Sequence, residues 1–444
     1  MRFNFAVRSL LLALNYSPTV RYAWGMHIYF SGLGGVAIGP LALIARNAGY
    51  EVSGSDQEAS RRTELMEQEG VHVAIGQDGS QIAAAHTRQP IDWLVISSAV
   101  PADHPEVQFA KAHGIKVTKR AGILNEILQD KQLKLVAISG THGKTTTTAM
   151  LTWLFKQFAI PVSYSIGSHI SFGPIGAYQE GSDYFVYECD EYDRNMLEFH
   201  PYLSLINTVD YDHPDIYPTQ EDYTQAFQQF AAQSERVIAW EQNQPLLHLE
   251  HPQLQLLDEQ DSRVKHIKIV GEHYRQNAWL AANAFAQLFP DTPMDDILNK
   301  VSTFPGTARR FEKLAENIYT AYSHHPAEIK ADLQMATELS DHVIAVYQPH
   351  QNIRQHELLN DYKDCFAAAE HVYWLPTYLS REDPALAVLS PAEIISHLDD
   401  PSIAEPAEMN EDLAKIIKEA AASDKLVVCM GAGAIDEWAR ANFT

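Results

Sequence analysis

Cysteine is scarce in this chain: Cys189, Cys365 and Cys429 are the only three in 444 residues. They stand too far apart for a metal-binding spacing or a disulfide framework, so a reducing, cytoplasmic setting is expected. Basic residues are few as well. Lys and Arg number 33 against 57 Asp and Glu, and the formal net charge of −24 argues against a protein that tracks nucleic acid backbones. Long apolar runs are also missing. Leu10-Leu11-Leu12-Ala13-Leu14, behind Arg2 and Arg8, could pass for the apolar part of a signal peptide but is too short to cross a bilayer, so no membrane partner is expected. A strand-like run, His27-Ile28-Tyr29-Phe30, begins directly after Met26, and residues 1–25 are read as an upstream extension with no part in the fold.

What remains is ordinary globular composition, 46% apolar and 20% charged, in a chain long enough for two to four domains, each with its own core. The chain is organised around residues 135–148. The apolar run Leu135-Val136-Ala137-Ile138 stops at Ser139, passes through Gly140-Thr141-His142-Gly143, and enters Lys144-Thr145-Thr146. Met150, Leu151, Leu154 and Phe155 then follow at helical spacing. A strand, a glycine loop and a helix start bring backbone N–H groups to the positive end of a helix dipole, which suits phosphate oxygens. A lysine adds a mobile charge, and a threonine hydroxyl can ligate Mg²⁺. The loop reads as a nucleoside triphosphate site, although the glycine usual five residues before the Gly-Lys pair is replaced by Ile138. A glycine-rich turn with a surface lysine is the alternative.

Upstream, the order is strand, Gly32-Leu33-Gly34-Gly35 turn, helix, and a second strand ending at Asp56. This is a dinucleotide-type βαβ unit in which Gly32, Gly34 and Ala37 fit the glycine fingerprint. The same glycines would also serve a tight turn without a ligand. Strands near 71–73, 93–98 and 116–118 complete this unit, and Ser97-Ser98 fall at a strand's carboxyl end, where ligands meet open α/β sheets. Downstream of the phosphate loop, Glu188-Cys189-Asp190-Glu191-Tyr192-Asp193 and Asp210-Tyr211-Asp212-His213 also end apolar strands. Glu188 and His213 could join Thr145 around Mg²⁺; Asp190, Glu191 and Asp193 taken singly have solvated acids as a competing reading, but the cluster beside a phosphate loop does not. His273 and Asn277 lie one helical turn apart and could read an adenine edge. Phe304-Pro305-Gly306 with Arg309-Arg310 marks a boundary, after which strands and helices alternate again to the Gly431-Ala432-Gly433 turn. The fold class expected is α/β, as three consecutive domains: Rossmann-like over residues 26–132, P-loop ATPase-like over 133–305, and Rossmann-like over 306–444.

Taken in order, these motifs resemble the Mur ligase family. The likeness rests on Gly32-Leu33-Gly34-Gly35, Ser97-Ser98-Ala99, Gly140 to Thr146, Glu188-Cys189-Asp190-Glu191, Asp212-His213, Gly271-Glu272-His273 with Asn277, Arg309-Arg310-Phe311, and His324-His325-Pro326 with Glu328. The short phosphate loop is the form this family and the folylpolyglutamate synthetases use. The resemblance implies an ATP- and Mg²⁺-dependent ligase that couples UDP-N-acetylmuramate to L-alanine through an acyl phosphate, in peptidoglycan precursor synthesis. It implies that Lys144, Glu188, His213 and Arg310 are catalytic. Gly140, Thr141, His142, Gly143, Lys144, Thr145, Thr146, His273 and Asn277 would hold ATP. Gly32, Gly34, Gly35, Asp56, Ser97 and Ser98 would hold the UDP-sugar, His325 and Arg354 the amino acid, and Thr145, Glu188 and His213 the metal.

Two departures from the family pattern bear on the amine donor. Gln351 stands where an arginine is usual after Gln348-Pro349-His350, leaving Arg354 alone, and the Asp-Asp-Tyr-Gly before the paired histidines appears as Thr320-Ala321-Tyr322-Ser323. A ligase that attaches a ready-made tripeptide to the same UDP-sugar is therefore one alternative. A non-catalytic protein that binds UDP-sugars and ATP is another.

Overall fold

Three sheets follow one another along the chain. In the computed structural model, residues 25–444 are described, apart from Val36, Ser98, Pro214, Asp215 and Arg381. The expectations for residues 1–24 and for Ser98 therefore lie outside the described residues.

The first sheet contains β1 (His27–Ser31), β2 (Glu51–Asp56), β3 (His72–Ile75), β4 (Trp93–Ile96) and β5 (Lys116–Lys119), in the order β3-β2-β1-β4-β5. Every pairing is parallel. Parallel neighbours need crossovers, and the helices supplying them bury strands that are apolar on both faces, which is why β1 reads as an unbroken run. The second sheet contains β6 (Lys134–Ser139), β7 (Ser163–Ser165), β8 (Gly176–Ala177), β9 (Tyr184–Glu188), β10 (Leu203–Ile206), β11 (Val237–Trp240) and β12 (Leu254–Leu257). Its order is β12-β11-β10-β6-β9-β7-β8, with only β8 antiparallel to its neighbour. The third contains β13 (Glu312–Ala315), β14 (Ile318–Ala321), β15 (Val343–Tyr347), β16 (His371–Trp374), β17 (Ala404–Pro406) and β18 (Leu426–Met430). It runs β13-β14-β18-β15-β16-β17, again with one antiparallel edge strand, β13.

Apolar packing continues across both junctions. Ile28, Leu124, Phe185 and Phe227 belong to one cluster that spans the first and second sheets, while Phe285, Leu333 and Tyr347 belong to another that spans the second and third. Gly176 of β8 lies against the helix Ile38–Asn47, where an added Cβ would sit 3.0 Å from Ile44 Cδ1. Among the described residues, no helix is long and apolar enough to cross a membrane.

Candidate active site

The phosphate loop leaves the carboxyl end of β6, central in its sheet, and opens the helix Lys144–Gln157. Gly140 and Gly143 have φ of +132° and +83°, conformations that side chains rarely adopt. Space excludes larger residues too: a Cβ on Gly143 would fall 2.3 Å from Asn207 Nδ2 and 2.6 Å from Asn277 Oδ1. The loop is tied to the segment after β10, where Thr141 N and His142 N both donate to Thr208 O, at 2.9 and 3.3 Å. Those two amides are thus committed inside the protein. No side chain caps the helix, which leaves its first turn as the anion-facing part of the loop.

Lys144 Nζ donates to Gly140 O at 2.6 Å and Thr141 O at 3.0 Å, and pairs with Glu191 Oε2 at 2.8 Å. Burial works against the lysine's charge, but Glu191, Asp190 and Glu188 outweigh it and hold its pKa above the ordinary value. Glu191 is only 1% exposed, which excludes the alternative that it is a solvated acid. Its carboxyl is held below the usual range because Lys144 and His213 overcome the cost of burial. Beside it, Thr145 Oγ1 donates to Glu188 Oε1 at 2.8 Å, and Gly167 N donates to Glu188 Oε2 at 2.6 Å. Burial still leaves Glu188 raised.

His213, at φ +60°, points to Glu191 (3.6 Å) and Asp212 (3.7 Å). The expected set of Thr145, Glu188 and His213 thus divides: the first two touch, and the third is engaged with Glu191. Among the described residues, no three His, Cys, Asp or Glu side chains converge with metal-holding geometry.

The third sheet's side of the cleft is pressed onto this loop. His142 lies 3.2 Å from Asp210 Oδ2 and 3.4 Å from Glu328 Oε1. Burial opposes its protonation, yet the two carboxylates raise it to about 9. The side chain expected at ATP is therefore taken up by an ion pair that bridges two sheets. Glu328 also accepts from His324 N at 3.1 Å and from His325 N at 3.4 Å, the latter closing a capping box on the helix Pro326–Thr337, whose N-cap is His325. The His325 ring is 5.2 Å from that of His142. Arg310 lies over Tyr322 at 4.8 Å; its charge opposes the rise that burial imposes on Glu188 and adds to the lowering of Glu328. Arg354 Nη2 stands 3.8 Å from Asp212 Oδ1.

His273 and Asn277 remain a turn apart on the helix Glu272–Leu288 but meet different neighbours. Asn277 accepts from Asn207 Nδ2 at 3.2 Å, beneath the phosphate loop. His273 Nε2 is 3.7 Å from Asp332 Oδ1, and burial lowers the ring to about 4. Asp332, which no motif singled out, is pushed by burial to about 7 and takes the Ser323 hydroxyl.

The glycine turn of the first sheet is held by its neighbours. Gly32 N and Leu33 N donate to Ser55 O at 2.8 and 3.0 Å, and Gly34 N donates to Asp56 Oδ2 at 2.7 Å. Asp56 thus braces the turn with one carboxylate oxygen. Gly35 N donates to Gly32 O, 3.0 Å away, and Ser97 O accepts from Val100 N at 3.2 Å.

Family models match most of the chain: the Mur ligase family catalytic domain over residues 27–132, the Mur ligase middle domain over 138–250, and the Mur ligase glutamate ligase domain over 309–433. The UDP-N-acetylmuramate–L-alanine ligase of Thermosynechococcus vestitus is 31% identical over 82% of this chain and 84% of its own. The chain belongs to the Mur ligase family. The enzyme of the same name from Nocardioides is 30% identical over 92% of this chain and 93% of its own. In fold, the chain is similar to UDP-N-acetylmuramate-alanine ligase of Thermotoga maritima, with a TM-score of 0.73 at 24% identity over 94% of this chain and 98% of that one.

As in other Mur ligases, the chain's chemistry is that of an ATP-dependent ligase, and its three α/β units are those the motif order implied. Sequence reasoning passed over Glu328 as an interdomain contact, although its three-residue spacing from His325 is a capping-box signature. It also missed Asp332 and Glu191 as buried groups. Only the tertiary fold, not their local sequence, makes these two carboxylates different from surface acids.

Proposed function

We propose that this chain joins the lactyl carboxylate of UDP-N-acetylmuramate to L-alanine at the expense of ATP, in peptidoglycan precursor synthesis. The observation that carries the reading is the junction at the phosphate loop, where Thr145 meets Glu188 and Lys144 meets Glu191 at acidic strand ends, while Glu328 of the third unit reaches His142. In this reading the γ-phosphoryl group passes from ATP to the lactyl carboxylate, leaving ADP and an acyl phosphate. The amine of alanine then attacks the acyl carbon, phosphate departs with the C–O bond electrons, and the nitrogen sheds its proton.

Lys144 and Arg310 oppose the charge that develops on the transferring group. Thr145 and Glu188 are the oxygen donors that would hold a Mg²⁺ ion, which would neutralise phosphate charge. His213 supports the site by holding Glu191 beside Lys144. Closure by the His142–Glu328 contact excludes water that would hydrolyse the acyl phosphate. The Gly32 to Gly35 turn and the following helix would receive the UDP diphosphate.

Gln351 in place of an arginine keeps a second reading open, in which a tripeptide is the amine donor. The test is ADP release by the purified chain with UDP-N-acetylmuramate and, separately, alanine, glycine, serine or the tripeptide, with mass spectrometry of the products. ADP release that needs both the UDP-sugar and alanine, with the alanyl product detected, is the expected result. Release with the tripeptide alone selects the second reading, and ADP release that ignores the UDP-sugar overturns both.

A further inference from the structure

Under the glycine turn of the first sheet lies a buried carboxylate that the ligation chemistry does not use. Glu106, with no exposed surface, belongs to the helix Pro105–Ala112. It accepts from Ser31 Oγ at 2.5 Å, Ser55 Oγ at 2.6 Å and Tyr29 OH at 3.3 Å. Ser31 ends β1, Ser55 lies one residue before the end of β2, and the half-buried Gln77 follows β3. Gln77 Nε2 stands 3.0 Å from Ser31 Oγ and 3.3 Å from Ser55 Oγ.

Proton counting fixes the direction of this network. Each serine hydroxyl donates its single proton to Glu106 and has only lone pairs left for Gln77. The amide must therefore turn its NH₂ inward, one hydrogen to each serine. Its carbonyl oxygen is left facing away from the network, and among the described residues it has no hydrogen-bond partner. The reverse orientation would set a carbonyl against two oxygens with no proton to offer and leave it unpaired.

Three loops meet at this edge: the turn after β1, Asp56 at the end of β2, and Gly76-Gln77, where Gly76 N donates to Asp56 O at 2.8 Å. In open parallel sheets a nucleotide lies across such carboxyl ends, with its diphosphate at the glycine turn and its nucleoside over the neighbouring strands. We infer that Gln77 reads the base of the sugar nucleotide, offering a fixed acceptor to the N3–H of uracil, with Glu106, Ser31 and Ser55 as the residues that position it. This rests on the reading of the substrate as a uridine nucleotide. Cytosine presents a lone pair at N3 and N3-methyluracil presents a methyl group; neither can donate there.

Titration calorimetry of the full chain with UDP, CDP and N3-methyl-UDP tests this. The wild-type protein should prefer UDP over either analogue by about tenfold, the scale of one mismatched hydrogen bond. Gln77 is on a loop, and Gln77→Ala should bring the three affinities within about twofold of one another by weakening UDP. Glu106→Gln supplies a proton donor beneath the serines, frees a serine proton and lets the Gln77 amide turn over, so its UDP-to-CDP ratio should fall below the wild-type ratio. A ratio unchanged in Gln77→Ala overturns the inference while leaving the substrate reading intact. Failure of the wild-type chain to bind UDP at all overturns the substrate reading, and this inference with it.

Discussion

The two glycine turns that begin the first and second sheets share a strand–turn–helix plan but are completed in opposite ways. At Gly32 to Gly35 the bracing groups come from one sheet: Ser55 and Asp56 accept the turn's amides, and the carboxylate beneath is met by hydroxyls. At Gly140 to Gly143 the surroundings are ionic and come from two sheets. Lys144 is matched by Glu191, and His142 lies between Asp210 and Glu328. A turn that only has to hold a ligand can be finished by the folding of its own domain. A turn at which charge moves must keep its cations paired until phosphate arrives, and it takes its last partner from the domain that closes over it.

The contrast is broken most sharply at Lys144. Lys144→Ala should lower product formation by about 10²-fold or more while leaving UDP binding at the other turn unchanged, as read by ADP release and calorimetry. Unchanged turnover would show that the loop does not act on the γ-phosphate. Glu191→Ala comes next. It leaves Lys144 and His213 without their shared counter-ion in a buried site, where removal of one partner costs about 3–5 kcal/mol. A fall in the thermal unfolding midpoint, partly restored by ATP whose phosphates re-pair the lysine, is expected. A midpoint equal to wild type would mean that Glu191 carries little of the charge balance.

A smaller effect is expected where the third sheet meets the loop. Glu328→Gln keeps the capping geometry but removes the charge facing His142, and should raise the KM for the amine donor by about tenfold. The same contact sets a pH dependence. His142 is raised from its ordinary 6.5 to about 9, so its contribution is complete below about 6.5 and is lost as pH rises toward 9. His273 and His324, both lowered to about 4 by burial, act in the other direction and weaken the closed form as pH falls below about 6.5. Scattering profiles should therefore report the most compact form near neutrality, with an alkaline expansion that is flatter in Glu328→Gln. An alkaline limb identical in the variant would disconnect His142 from closure.

These differences explain what could be read from the sequence. The strand–loop–helix at residues 135–157 and the βαβ unit before it are local patterns: glycines at positive φ, apolar runs and helical spacing all lie within about thirty residues, so both were legible. The edge strands β8, β12, β13 and β17, and the short β7 beside β8, are not singled out by the sequence, since two- to four-residue strands carry little periodicity. The coupling of Glu328 to His142 spans 186 positions, and that of Glu106 to Ser31 spans 75. Nothing near either residue distinguishes a bridging carboxylate from a helix-capping or surface one. The same holds for the metal set. Acidic strand ends announce an oxygen-rich site, but whether Glu188 or Glu191 meets Thr145 depends on the register of β9 against β6, which sets Glu188 opposite Ile138 and which composition does not encode.

The smallest expected effect probes whether amine selection belongs wholly to the third unit, as the contrast between the turns requires. Gln351 already holds φ +64° at the head of the helix Asn352–Leu358, with its N–H donating to Tyr378 O at 2.9 Å, so Gln351→Arg adds a guanidinium without new backbone strain. Arg354 stands 3.8 Å from Asp212, and a second cation three residues away would give an amino acid carboxylate an additional charge-assisted partner. The KM for alanine should fall by about threefold, roughly 0.6 kcal/mol for a partly screened pair, while the KM values for ATP and the UDP-sugar stay as they were. If the variant instead improves the tripeptide, or shifts the UDP-sugar constant, position 351 does not face the small amino acid, and selection of the donor is shared with the first two units.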